Sequence, residues 1–183
     1  MLSTATDIEL WESFVQGDEQ ALGALFKKYY SLLYLYGSKL CSDRSILEDC
    51  IQDLFAELWF KKTGVPSLSV GAYLLQSLKY KLYKSFRDQK PVVNIDQEGH
   101  NYFELSHETF LIGKQSDEER TKKILEAVNQ LPARQKEIIY LRIYKGLSYE
   151  EISQVMQLNY QVVRNLLSQA LKSFRKIIAP VVS

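Results

Sequence analysis

Apolar residues recur along this chain at the three- and four-residue spacing of an amphipathic helix, and no window sustains the alternation of a half-buried strand. Ile8, Trp11, Phe14 and Val15 begin one helix, and Gly17-Asp18-Glu19 breaks it. Leu22, Leu25, Phe26, Tyr29, Tyr30, Leu33 and Leu40 carry a second. Ser45 and Glu48 have the spacing of a capping box before a third helix over about 46–62. Thr63-Gly64-Val65-Pro66-Ser67 is loop chemistry, and a fourth helix follows over about 70–87. Further on, Ser116 and Glu119 form a second capping box, opening a helix to about Gln130. Pro132 suits the first position of a helix that runs to about Tyr144 and is ended by Gly146. Ser148 and Glu151 form a third box, for a short helix over about 149–155. Met156-Gln157-Leu158 reads as a tight turn, and Asn159 caps a last helix to about Ile178. The fold class is therefore all-α.

Between the two helical runs the period disappears. Residues 88–115 contain Pro91, Gly99, Gly113 and both histidines, with acidic residues throughout and at most a short helical turn near 104–110. An irregular stretch of that length is uncommon inside one compact domain. The expectation is two small helical domains, 1–90 and 119–183, joined by an acidic linker over 91–118, with a helix-turn-helix in the second.

Composition narrows the class. With 183 residues, 46% hydrophobic, the chain is too apolar for disorder and long enough to bury cores. Eight glycines and four prolines argue against a collagen-like or turn-rich β chain. Cys41 and Cys50 make no metal-ligand spacing and read as small buried hydrophobes. The most apolar run, Tyr29 to Ser38, lies between Lys28 and Lys39 and is far short of a membrane span, and the first residues lack the basic and apolar regions of a signal peptide. A cytoplasmic location without membrane insertion is expected.

Net charge is only +1, yet it is strongly patterned. Residues 1–60 carry −6, 61–90 carry +6, 91–121 carry −5 and 122–183 carry +6. Two basic segments separated by an acidic one mark two places able to touch a polyanion. A short capped helix, a tight turn and a longer helix is the helix-turn-helix arrangement. At 100° per residue, Val162, Val163, Leu166, Leu167, Ala170, Leu171, Phe174 and Ile177 share one half of the last helix. Gln161, Arg164, Asn165, Ser168, Gln169, Lys172, Arg175 and Lys176 share the other, with no acid from Gln157 to Ser183. Arg matches guanine edges and Asn or Gln matches adenine, so this half suits the major groove of duplex DNA. Lys172, Arg175 and Lys176, further along, suit phosphates.

In the fourth helix, Leu75, Leu78, Leu82 and Phe86 form a narrow apolar stripe. Tyr73, Gln76, Tyr80, Tyr83, Lys84 and Arg87 lie opposite, flanked by Lys79 and Lys81. Aromatic rings stack on unpaired bases while cations follow the backbone, which favours single-stranded nucleic acid; Tyr73, Lys79, Tyr80, Tyr83, Lys84 and Arg87 are the candidates. On the third helix, Cys50, Ile51, Leu54, Phe55, Leu58 and Trp59 face a core, leaving Asp49, Gln52, Asp53 and Ala56 as a polar stripe for a protein partner.

An enzyme would need convergent catalytic groups. The two histidines, His100 and His107, with Glu104 and Glu108 nearby, make a poor metal site, and the glycines are too scattered for a phosphate loop. No catalytic residue, metal or cofactor is expected. The alternative to a multi-partner factor is a stand-alone helix-turn-helix transcriptional regulator, which would bind duplex by itself.

The pieces together resemble the extracytoplasmic-function (ECF) RNA polymerase sigma factors of the sigma-70 family, over about residues 8–90 and 119–178. Glu48 to Trp59 is similar to the family's segment that docks on the β′ clamp helices of core RNA polymerase, with its Asp-x-x-Gln-acid pattern at Asp49, Gln52 and Asp53. Leu131-Pro132, Leu147-Ser148-Tyr149-Glu150-Glu151-Ile152, Val163-Arg164 and Ala170-Leu171 resemble the family's C-terminal domain, which reads the minus-thirty-five element; Arg164, Asn165, Ser168 and Gln169 would face the bases. The resemblance implies a transcription initiation factor that recruits core polymerase to promoters, helps melt the minus-ten element, and is restrained by an anti-sigma factor. It also implies that the acidic linker threads toward the polymerase active-site and RNA-exit channels. One departure stands out. Where the family carries Ala-Arg-Asn and a later Asp, this chain has Leu78-Lys79-Tyr80 and Lys84, so a stacking ring stands in place of the base-binding amide.

Overall fold

The computed structural model describes residues 6–66, 68–89, 102–106 and 118–182. Every regular element among them is helical. The helices are α1 (Asp7–Val15), α2 (Glu19–Leu40), α3 (Arg44–Lys61), α4 (Val70–Gln89), α5 (Glu118–Asn129), α6 (Ala133–Ile139), α7 (Tyr149–Met156) and α8 (Tyr160–Val182). The chain divides into two compact units, Met1–Pro91 and Val92–Ser183.

In the first unit, side-chain caps define the helix starts. Thr6 and Glu9 form a reciprocal capping box on α1, and Asp18 accepts from Gln20 and Ala21 at the head of α2. The third helix corrects the sequence reading. Its cap is Asp43, which accepts from the Ser45 and Ile46 amides, and Glu48 instead pairs with Arg44 one turn earlier (Nε–Oε1 2.8 Å). An Asp two residues earlier outcompetes Ser because its carboxylate also meets the positive end of the helix dipole.

Helix α2 packs against α1, α3 and α4, and α3 packs on α4. Trp11, Phe14, Leu25, Leu33, Tyr36, Ile51, Leu54, Leu74, Leu75, Leu78 and Leu82 fill the core. The α2–α3 crossing is close at Gly37: a methyl group there would lie 2.2 Å from Leu47 Cδ1 and force that buried side chain to move. Trp11 closes one end, where its indole N–H donates to the Thr63 and Gly64 carbonyls (3.0 and 3.2 Å), tying the α3–α4 loop to α1. Cys41 and Cys50 are buried and free, and burial pushes both thiols up.

In the second unit, α8 is the central strut for α5, α6 and α7. Pro132 sits one residue outside α6, as its N-cap. The helix continues as a π turn over Tyr140–Tyr144, and Gly146 leaves it with φ +67°. Part of the segment read as linker is folded here. Residues 102–106 are non-helical, and Phe103 and Leu105 are buried. The Asn129 side chain grips Leu105 from both sides, accepting from its N–H (3.2 Å) and donating to its carbonyl (2.9 Å). Phe103 packs 5.7 Å from the Tyr140 ring. Two apolar residues two apart were too short a pattern to separate from a linker by periodicity. The expected cap Ser116, and the remainder of the proposed turn at 107–110, lie outside the described residues, as do His100, His107 and Glu108.

Candidate functional site

The helix-turn-helix is built from local chemistry. Ser148 and Glu151 cap α7 reciprocally, with Ser148 Oγ accepting from Glu151 N (3.1 Å) and Glu151 accepting from Ser148 N (2.9 Å). Gln157 ends α7 in the left-handed region (φ 53°), and the Leu158 N–H donates back to the Ser153 carbonyl (3.0 Å), which closes the turn. Asn159 Oδ1 then accepts from Val162 N (2.9 Å) and starts α8. The head of α8 is also braced from outside. Arg142 donates to the Leu147 carbonyl (2.7 Å) and lies 4.9 Å over the Tyr149 ring, whose neighbour at 5.6 Å is Tyr160, the first residue of α8. The Arg142–Tyr149–Tyr160 brace was absent from the sequence reading, because residues so far apart share no helical face.

Val163, Leu167 and Ala170 anchor α8 in the core. Gln161, Arg164, Asn165, Ser168, Gln169, Lys172, Arg175 and Lys176 are all exposed. Gln161 Nε2 donates to Asn165 Oδ1 (3.1 Å), joining two amides at the start of that surface. One residue departs from the expected division: Val162, placed with the apolar half, is 41% exposed. It lies in the first turn, at the border of the polar half, while Val163 beside it is fully buried.

The stripe on α3 is likewise solvent-facing, with Asp49, Gln52, Asp53 and Ala56 exposed. The stripe ends on a residue the sequence reading missed. Phe60, one turn beyond Ala56, is 83% exposed. Its position at i+7 from Asp53 was the available signal.

The basic aromatic face of α4 is only partly available. Tyr80 is 62% exposed, and Lys84 and Arg87 are exposed, with Arg87 3.5 Å from Asp88. Two of the six candidates for single-stranded DNA are corrected. Lys79 is 7% exposed, with its ammonium 5.7 Å over the Tyr83 ring, so its charge is held inside the unit. Tyr73 sets its ring edge-on against Trp11 (5.4 Å, 87°) and serves as a packing residue. Tyr83 is half-buried beneath Lys79. Lys81 is turned onto α3, where it and Lys61 both pair with Glu57. Those hydrogen bonds, that of Lys81 foremost, hold the Glu57 carboxyl down to about 2.

Among the described residues no group of His, Cys, Asp and Glu could hold a metal ion, and no helix is long and apolar enough to cross a membrane.

Comparisons with known proteins agree with this arrangement. Residues 121–174 match the family described as Sigma-70, region 4, a stretch that includes α6, α7 and most of α8. Over 181 residues the chain is 25% identical to the ECF RNA polymerase sigma factor BldN of Streptomyces coelicolor, with 96% of this chain and 67% of that protein covered. In fold it is similar to CnrH, solved in complex with the cytosolic domain of CnrY: TM-score 0.63 at 16% identity, covering 95% of this chain and 97% of the other. It is also similar to the sigma factor RpoE of Bartonella quintana, solved with the anti-sigma factor NepR: TM-score 0.59 at 19% identity, covering 87% and 98%. Residues 121–174, in the second unit, thus match the sigma-70 region 4 family, and over nearly its whole length the chain is similar to an ECF RNA polymerase sigma factor.

Proposed function

We propose that this chain is a cytoplasmic transcription initiation factor that binds core RNA polymerase, directs it to a subset of promoters and assists their melting, with no covalent chemistry of its own. The first unit, to about residue 90, acts as a region 2-like domain. Its α3 stripe, Asp49, Gln52 and Asp53, docks on the β′ clamp helices. Tyr80, Lys84 and Arg87 of α4 meet the opened minus-ten strand, with Tyr80 stacking on a base. The second unit places α8 in the major groove of the minus-thirty-five element. Arg164, Asn165, Ser168 and Gln169 face base edges there, and Lys172, Arg175 and Lys176 meet phosphates. Phosphate contacts supply salt-sensitive affinity, and each good base pairing supplies about 1–3 kcal/mol of discrimination. An anti-sigma factor holds the protein inactive, a reading supported by the RpoE complex.

The observation that carries the proposal is the presence, in one chain, of a region 4 domain with an exposed acid-free polar face and a separate exposed Asp-Gln-Asp stripe. The test is the double variant Asp49→Ala, Gln52→Ala. Run-off transcription and retention of core polymerase are expected to fall about tenfold or more, as expected when an interface loses a carboxylate and an amide contact together. Stability should stay within about 0.5 kcal/mol, since both side chains are exposed. Unchanged polymerase binding would overturn the assignment of α3.

A further inference from the structure

We propose that Val162 reads the 5-methyl group of a thymine in the promoter duplex. The inference rests on the placement of α8 in the major groove. Val162 is the third residue of α8, within the N-terminal turn through which helix-turn-helix proteins reach base edges. On the helical wheel it falls about 20° from Gln169 and about 60° from Asn165, so it borders the polar half directly. It is 41% exposed, whereas Val163, next in sequence, is fully buried.

Local stability gives no reason for valine at that position. An exposed first-turn site favours alanine or a long polar residue, and a β-branched side chain lowers helix propensity. What valine offers instead is a rigid pair of methyl groups, because one χ1 rotamer dominates for it in a helix. Its backbone is fixed as well: its N–H is held by Asn159 Oδ1, and its neighbour Tyr160 is braced through Tyr149 by Arg142. A preorganised apolar knob beside Asn165 and Gln169 has one apolar counterpart in the major groove, the thymine methyl. With amides suited to adenine beside a methyl reader, the α8 surface suits A·T pairs, which present both an adenine edge and a thymine methyl in the major groove.

The test uses the full chain assembled with core RNA polymerase, on a promoter whose start site it directs. Each thymine of the upstream element is replaced in turn by deoxyuracil, which removes only the methyl group. At one position the replacement should weaken duplex binding about fourfold, the worth of one buried methyl-sized group. Val162→Ala should weaken binding to the thymine duplex by a similar factor and show no further loss on that deoxyuracil duplex. Alanine is the better helix former, so misfolding would not account for the loss. Wild-type binding by Val162→Ala, or an equal loss on thymine and deoxyuracil duplexes at every position, would overturn the proposal. A parallel Arg164→Ala, Asn165→Ala variant separates the two levels: if it also binds like wild type, the placement of α8 on DNA itself is wrong.

Discussion

Helices α4 and α8 have the same kind of sequence, a leucine-rich apolar stripe opposite a face of basic and polar side chains. In the folded protein they differ sharply. All eight candidate residues of α8 remain exposed, while α4 surrenders Tyr73 to Trp11, buries Lys79 over Tyr83 and turns Lys81 onto Glu57. The reason is neighbourhood. Helix α8 crosses its partners on one side only, so the helical wheel divides its residues correctly except in the first turn. Helix α4 has α3 and α2 against it, with Trp11 of α1 reaching its first turns. Those neighbours supply an acid and an aromatic ring that its own sequence cannot announce. A basic aromatic helix therefore mixes two populations, packing residues and presenting residues.

The largest effect should come from removing the neighbour that captures α4. Trp11 is completely buried, so Trp11→Ala should destabilise the protein by about 3–5 kcal/mol, read as a lowered midpoint in urea. It also removes the donor that holds the Thr63–Gly64 loop. A loss below about 1 kcal/mol would mean that α1 is not part of the core and that Tyr73 is free to act elsewhere.

Tyr73 and Tyr80 sharpen the contrast within one helix. Tyr73→Ala should lower stability by about 1–3 kcal/mol through lost packing. Tyr80→Ala should leave stability within about 0.5 kcal/mol and lower open-complex formation by about 1–3 kcal/mol, the usual worth of one base–aromatic stack. If the two substitutions exchange effects, the division of α4 into packing and presenting residues is mistaken. Potassium permanganate footprinting of the melted strand reads the second effect without reference to stability.

Much of this was legible in the sequence, and the omissions have identifiable causes. Helix positions, the Ser148–Glu151 box and the Asn159 cap follow from spacing and cap chemistry within a few residues of chain. The Asp43 cap was missed because Ser45-Ile46-Leu47-Glu48 satisfies the capping-box pattern by accident, two residues inside the real boundary. Phe103 and Leu105 were missed because their partners, Tyr140 and Asn129, are distant in sequence. The π turn at Tyr140–Tyr144 likewise has no periodic signature in so short a span. In the candidate sites, exposure of the α3 and α8 stripes followed from the wheel, while the fate of Lys79 and Tyr73 depended on tertiary neighbours. Phe60 and Val162 are apolar residues whose hydrophobicity argued for burial, yet each lies on the solvent side of its helix, Phe60 continuing the exposed α3 stripe and Val162 bordering the polar half of α8, while Leu58 and Val163 close by are buried.

The smallest expected effect tests the electrostatic part of the contrast, the capture of Lys81 by Glu57. The folded carboxyl sits at about 2, below the ordinary 4.5, because the charged form receives hydrogen bonds from Lys81 and Lys61. A depressed acid stabilises the fold fully above its unfolded value and loses that contribution as pH falls toward the folded value. The wild-type protein should therefore lose stability between about pH 4.5 and pH 2 partly on account of this residue, and Glu57→Gln should flatten that limb of the curve. The effect is small because half of the Glu57 side chain faces water, where screening weakens ion pairs. The same substitution leaves Lys81 without its acid, so non-specific binding to single-stranded DNA should rise and its salt dependence should steepen by about one counterion. A carboxyl resonance of Glu57 that titrates near 4.5 would show that Lys81 is not held, and α4 would then present Lys81 together with Lys84 and Arg87, with Lys79 still buried.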